Sequence, residues 1–357
     1  MKKIVLSFIV SLACGWCYAQ NGYKITGNVM NGTTGKVYLI VDKDTLVTEI
    51  QEGRFELTGK VDETVMATVM VESIMKGFPL FLENTDFKVT IDSSDEKFYT
   101  VEGGKEQAVW KEFQSVDEDF MLRNRNYLAV MQNAKSQSEY DSIRKEMNGL
   151  TKLQQAEEDK LIQANPDAAV SAWMVSRNVR LYTLEFSKKR FAMLSEKGKN
   201  TLYGRVAGEA IAAKERTLVG NVAPDFELTD VDGKTFKMSD VKAKVKVLMF
   251  CKASIPVYRE ANKYIETVYN EYKEKGLEII SISWEENREA WKQLVTEDKL
   301  PWKEGFDWKD GKSAVLELYG GKSHKVSHLY VLDENDRILY INVPYRSFRT
   351  CMERVFK

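Results

Sequence analysis

The stretch Val245-Lys246-Val247-Leu248-Met249-Phe250 constrains this chain more than any other. It is too short for a core helix and almost wholly apolar, which is the pattern of a strand covered on both faces of a sheet. Behind it, Arg259 to Lys275 places Tyr264, Ile265, Val268 and Tyr272 on one side of a helix. Leu277 to Ile282 reads as a second strand, Arg288 to Thr296 as a second helix carrying Trp291, and Leu300-Pro301-Trp302 closes the pattern. Strands alternating with helices in this way predict an α/β layer from about residue 217 to the end.

The residues around the first strand carry a resemblance. Gly220-Asn221-Val222-Ala223-Pro224-Asp225-Phe226-Glu227-Leu228, then Asp232-Gly233-Lys234, Met238-Ser239-Asp240 and Leu277-Glu278-Ile279-Ile280-Ser281-Ile282-Ser283-Trp284 are similar in order and spacing to the TlpA/ResA-like and alkyl-hydroperoxide-reductase-like (thiol-specific-antioxidant-like) thioredoxin families. So is the spacing from Trp291 to Pro301-Trp302. The resemblance implies a thioredoxin-like fold for residues 217–357. It also implies a Trp-Cys-x-Pro-Cys turn after the strand, and here Cys251-Lys252-Ala253-Ser254-Ile255-Pro256-Val257-Tyr258-Arg259-Glu260 departs from it. With Pro256 on the motif proline, Ser254 and Val257 stand where the two cysteines belong. Ser327, just before the strand Leu329-Tyr330-Val331-Leu332-Asp333, stands where the family places a cis-proline.

Disulfide exchange needs a thiolate to attack and a second thiol to resolve the mixed disulfide. A serine hydroxyl titrates too high for a helix N-terminus to ionise, and Val257 resolves nothing. The resemblance therefore predicts the fold while the residues predict loss of the chemistry, so no catalytic residue is expected at Ser254, Val257 or Ser327. Cys251 is the one thiol near the turn, three residues ahead of the nucleophile position and inside the strand. It is expected to be a buried filler, as is Cys351 in the last helix. A thiol-disulfide oxidoreductase working through Cys251, or with a partner, is the competing reading, and it requires that thiol to be exposed.

Other chemistry at the turn is weakly supported. Ser254 with His328 lacks a Gly-x-Ser-x-Gly elbow. His324 and His328 are the only histidines and make too few ligands for a metal site; no metal and no cofactor are expected. Glu260, whose family counterpart lies beside the thiols, reads here as a first-turn helix acid, and Lys252 and Arg259 as surface charges. What remains is the shallow groove that the family shapes around a partner's extended backbone. Ser254, Ile255, Pro256, Val257, Tyr258, Glu260, Val326, Ser327 and His328 would line it, which implies a redox-inactive module binding an extended peptide, an exported protein or a small ligand.

Ahead of this domain the 357 residues divide into three further parts. Residues 1–19 carry Lys2 and Lys3, an apolar stretch from Ile4 to Ala13 and a small-residue site at Cys17-Tyr18-Ala19, a secretory signal that places the mature chain in the periplasm or cell envelope. Cys14 after Ser11-Leu12-Ala13 leaves a lipid-anchored alternative open. Residues 20–104 alternate apolar and polar in short runs: Tyr23 to Gly27, Lys36 to Val41, Arg54 to Leu57, Thr64 to Val71 and Phe87 to Asp92. That predicts a β-sandwich or small barrel, and its layout resembles an uncharacterised β-domain found ahead of TlpA-like domains in exported proteins. Residues 105–216 show helical spacing, with Trp110, Phe113 and Trp173 as core, a break at Asn165-Pro166-Asp167 and charged faces expected in solvent. Lys and Arg number 52 against 53 Asp and Glu, giving no electrostatic reason to expect a nucleic-acid partner. No stretch after the signal is apolar enough to span a membrane.

Overall fold

Alternation of inward and outward side chains builds the first unit. In β1 (Tyr23–Val29), Tyr23, Ile25 and Val29 are buried while Lys24 and Asn28 face solvent. β2 (Gly35–Val41), β3 (Asp44–Ile50), β4 (Arg54–Gly59), β5 (Val65–Val71), β6 (Lys76–Leu82), β7 (Asp86–Ile91) and β8 (Tyr99–Glu102) follow. They form two four-stranded sheets, ordered β4-β1-β7-β8 and β3-β2-β5-β6, over one core that includes Ile25, Leu39, Val69, Phe87 and Ile91. This is the sandwich expected. Gly27 is required within it: a Cβ there would lie 1.9 Å from the ring of Phe55, its partner across the β1–β4 ladder. The computed structural model describes residues 22–30, 34–92, 94, 97–179, 181–252, 254–309, 312–319 and 328–357. It divides into two compact units, one ending at Gly208 and one running from Glu209 to Lys357. The signal segment, Cys14, His324, Val326 and Ser327 lie outside the described residues.

Three strands of this unit are absent from the sequence reading. β3 has a weak inward pattern, with Val47 half exposed, and follows β2 through Asp42-Lys43, where Asp42 takes a left-handed φ of 52°. β6 contains Gly77 and Pro79, residues that usually interrupt a strand. Short β8 pairs only with β7.

The helices are α1 (Lys105–Gln132), α2 (Gln137–Ala164), α3 (Ala169–Asn178), α4 (Leu184–Ala192), α5 (Glu196–Lys199) and α6 (Leu202–Arg216). Ser136 Oγ caps α2 by accepting from Glu139 N, and Thr183 Oγ1 caps α4 through Phe186 N. α1 packs on the sandwich. Trp110 sits 5.4 Å from Phe81 of β6 and 5.4 Å from Trp173 of α3, ring centre to ring centre. The buried Gln107 accepts from Phe81 N at 3.0 Å, which blunts the edge strand β6.

The expectation that charged residues of this segment face solvent fails at one place. Arg190 is 1% exposed, its Nε donates to Asp159 at 2.6 Å and its Nη2 to the carbonyl of Gln155 at 3.0 Å. Nη1 lies 2.7 Å from Glu158 Oε2, close for an ion pair but out of line for a hydrogen bond. The guanidinium also lies over the Phe186 ring. Burial here is possible because the charge is matched on several sides.

α6 is tied to the sandwich by Tyr203, whose hydroxyl accepts from Met66 N at 2.6 Å, at a point where β2 no longer pairs with β5. Tyr203→Phe is expected to strand that amide and cost about 1–3 kcal/mol of stability, read from urea unfolding. An unchanged midpoint would show that solvent satisfies Met66 N.

In the second unit the sheet runs β10-β9-β13-β12-β11-β16-β17. Its members are β9 (Glu227–Thr229), β10 (Thr235–Lys237), β11 (Val245–Cys251), β12 (Leu277–Ser283), β13 (Lys303–Phe306), β16 (His328–Asp333) and β17 (Ile338–Val343), while β14 (Trp308–Lys309) and β15 (Lys312–Ser313) form a separate ribbon. The helices are α7 (Pro256–Tyr272), α8 (Arg288–Asp298), α9 (Ala314–Leu318) and α10 (Phe348–Val355). β11 pairs parallel with β12 and antiparallel with β16. Every residue of β11 is buried, because its faces meet different cores. Val245, Val247 and Met249 pack with Ile265 and Val268 of α7 and Phe348 of α10. Leu248 and Phe250 pack with Leu228, Tyr319 and Tyr330. Lys246 on the second face is buried, with Nζ donating to Asp336 Oδ1 at 2.5 Å and to the Met238 carbonyl at 3.0 Å. This is a thioredoxin-like α/β domain. Among the described residues no helix is long and apolar enough to cross a membrane.

Candidate functional site

The turn from β11 to α7 is shaped by local chemistry. Cys251 O accepts from Trp284 N at 3.1 Å, so the β11–β12 ladder holds to the last residue of the strand. Ile255 N then bonds the Lys252 carbonyl at 3.0 Å, turning the chain, and Pro256 opens α7 with its fixed φ and no donor to waste. Ile255 is extended at the N-cap and offers no side-chain cap. Instead Glu285, 5% exposed and just beyond β12, accepts from Ser254 N at 2.8 Å. A buried carboxylate thus pins the turn from below. Sequence reasoning missed it, because only the β11–β12 register brings Glu285 to residue 254.

The candidate residues separate by exposure. Ser254, Pro256 and Glu260 are exposed, and Ile255 and Val257 partly so. Tyr258, expected in the groove, is instead 2% exposed and faces Trp284 in the core, because it falls on the buried stripe of α7 with Ala261 and Ile265. Glu260 is the fifth residue of α7, one turn too far in for the first-turn role expected of it. Arg259 is not a free surface charge: it bonds Asp298 through Nε at 2.9 Å and through Nη2, joining α7 to the end of α8. Lys252 likewise lies over the Trp284 ring at 4.8 Å and 3.5 Å from Glu286. The backbone of His328 pairs with Phe250, so β16 starts at the same end of the sheet as the turn.

Cys251 is 3% exposed. Burial, with Glu304 and Glu285 nearby, pushes its thiol well above the ordinary range, and Ser281 opposes this only weakly. Ser281 Oγ itself takes the Trp302 Nε1 donor at 2.7 Å. Glu304, on β13, has its carboxyl pushed up to about 7 by burial, with a further contribution from Asp298. A thiolate at Cys251 would have to form away from solvent beside two acids, the reverse of the surroundings that activate a thiol. Cys351 is also buried and its thiol is raised by burial. Among the described residues no cluster of three or more His, Cys, Asp or Glu is placed to hold a metal.

Residues 219–341 match the model of the AhpC/TSA family. They form an AhpC/TSA thioredoxin-like domain. Residues 23–110 match a domain of unknown function, DUF4369, which accounts for the sandwich and the first turns of α1. The AhpC/TSA domain is related to thiol-disulfide oxidoreductases named ResA. That of Bacillus cereus is 33% identical over 96 residues, 27% of this chain and 56% of the relative. That of Bacillus subtilis is 31% identical over 90 residues, 25% of this chain and 48% of the relative. The chain therefore spans about half the length of the curated relatives it matches. Among solved structures, the thioredoxin domain of a thiol-disulfide oxidoreductase from Bacteroides vulgatus is similar at 26% identity and a TM-score of 0.36, covering 39% of this chain and 99% of that one.

Proposed function

We propose that the AhpC/TSA domain is a redox-inactive binding module of an exported protein, acting in the periplasm or cell envelope, and that its turn and the start of β16 hold an extended segment of a peptide or exported protein. The observation that carries this reading is the burial of Cys251, the one thiol at the turn, beside Glu304 and Glu285. With Ser254 and Val257 at the positions of the motif cysteines, neither an attacking nor a resolving thiol reaches solvent. Ser254, Ile255, Pro256 and Val257 supply a small, partly apolar surface suited to backbone contact.

Thiol titration and insulin-disulfide reduction on the mature chain test it. Native protein is expected to leave Cys251 and Cys351 unmodified until denatured, and to reduce insulin no faster than buffer. Ser254→Cys/Val257→Cys, which restores an exposed dithiol at the helix start, is expected to gain reductase activity, which shows that the scaffold would support the chemistry if the sulfur were present. Insulin reduction by the native protein that disappears in Cys251→Ser overturns the proposal in favour of a single-thiol oxidoreductase.

A further inference from the structure

A half-enclosed cavity of about 420 Å³ opens between the β9–β10 turn, the end of α8 and the start of β13. Its size is that of a small-molecule site. Phe236, Leu300 and Trp302 supply apolar wall, and the Trp302 ring is fixed in place by its bond to Ser281 and its edge contact with Tyr269. Two lysines line it as well. Lys303 Nζ stands 5.4 Å from the Phe236 ring centre, and Lys299 also lines the cavity.

Lys299 ends α8 with φ 48° and ψ 45°, the left-handed conformation that glycine adopts without cost. Its N–H bonds the Val295 carbonyl and closes the helix, which brings residue 299 to the cavity wall. Neither Lys299 nor Lys303 is in a salt bridge among the described residues. The acids lining the cavity with them, Asp230 and Glu304, form no ion pair with either lysine among the described residues. Asp230 Oδ1 is already taken by the amides of Asp232 and Lys234 at 3.0 and 2.8 Å. Burial raises the Glu304 carboxyl to about 7, which lessens its charge near neutrality.

We infer that this cavity binds a small organic anion with a flat apolar body, an aromatic carboxylate in chemical class: the ring packs between Phe236 and Trp302, and the carboxylate meets Lys299 and Lys303. The site is separate from the peptide groove, and it stands or falls independently of the redox reading.

The probe is phenylacetate, titrated into the full mature chain by calorimetry and by tryptophan fluorescence, with phenylacetamide and inorganic phosphate in parallel arms. Phenylacetate is expected to saturate with a Kd of about 1 mM or tighter, the ordinary yield for a ligand of this size. Phenylacetamide is expected to bind at least about tenfold more weakly, and phosphate not to compete, since charge and ring are both needed. Lys299→Gly/Lys303→Met removes both charges while keeping the backbone at 299 and the apolar stem at 303, so the fold survives; it is expected to weaken phenylacetate at least about tenfold. Absence of saturation, equal binding of the amide, competition by phosphate alone, or undiminished binding by the double variant would each overturn the assignment.

Discussion

Arg190→Ala is expected to destabilise the first unit by about 3–5 kcal/mol. The substitution leaves Glu158, 3% exposed, and Asp159, whose side chain is 14% exposed, as neighbouring carboxylates deprived of their main cation. Arg177 approaches Glu158 only to 3.8 Å and also serves Asp117 at 3.6 Å, so it cannot replace the guanidinium. Lys189 reaches Asp159 at 3.3 Å, but its side chain is 64% exposed and solvent weakens its field. Arg190→Lys is expected to recover little, since one ammonium cannot serve Asp159, the Gln155 carbonyl and Glu158 together. The informative contrast is Arg190→Met with Glu158→Gln and Asp159→Asn, which removes the buried charges along with their partner and is expected to restore most of the loss. Urea unfolding followed by far-UV circular dichroism reads all three. A cost below about 1 kcal/mol for Arg190→Ala would mean that water reaches the carboxylates and the network is not buried in solution.

Glu304→Gln is expected to stabilise the protein by about 3 kcal/mol at pH 8 and to leave it almost unchanged near pH 4. In the unfolded chain the carboxyl ionises near 4.5, while in the folded chain burial holds it up to about 7. Between those values the folded state keeps a proton that the unfolded state has released, so stability falls as pH rises through the window. Above it the folded state carries an ionised carboxylate in poor surroundings. The groups facing it are Asp298 from α8, itself paired with Arg259 of α7, and the thiol of Cys251 on β11. Lys303 and Asp230 line the same cavity. None of these supplies an ion pair to Glu304 among the described residues. Glutamine keeps the shape and removes the ionisation. Chemical denaturation of both proteins from pH 4 to pH 9 gives two curves that coincide at the acid end and separate across neutrality. A constant separation at all pH values would show that the gain comes from packing and that the carboxyl titrates normally.

Much of the architecture was legible without coordinates. Val245 to Phe250 reads as a strand covered on both faces because its apolar residues do not alternate, and Pro256 followed by Ile265, Val268 and Tyr272 gives the helix behind it. In the first unit the strands missed, β3, β6 and β8, are those whose local pattern is overruled by neighbours; in the second, the short strands β9, β10, β13, β14 and β15 and the edge strand β17 also went unread. β6 keeps Pro79 because it is an edge strand in its sheet, where a missing donor is tolerated. Tyr258 shows the converse: adjacency to a motif suggested a surface role, while its place on the apolar stripe of α7 sent it to the core.

The sequence alone determined the alternation of strands and helices in the second unit, whose resemblance to a known family supplied the thioredoxin-like order, and the β-rich domain ahead of it, since periodicity, turn chemistry and residue identity are local properties of the chain. Only the tertiary structure decided that Cys251 is sealed beside Glu304, that Glu285 pins Ser254, that Arg190 is buried among acids and that Lys299 and Lys303 share a cavity. Cys251 and Glu304, Ser254 and Glu285, and Arg190 and its acids lie far apart in the chain, while Lys299 and Lys303 are near in it and meet one cavity only through the packing of β9 and β10; burial and electrostatic surroundings exist only once the packed layers form.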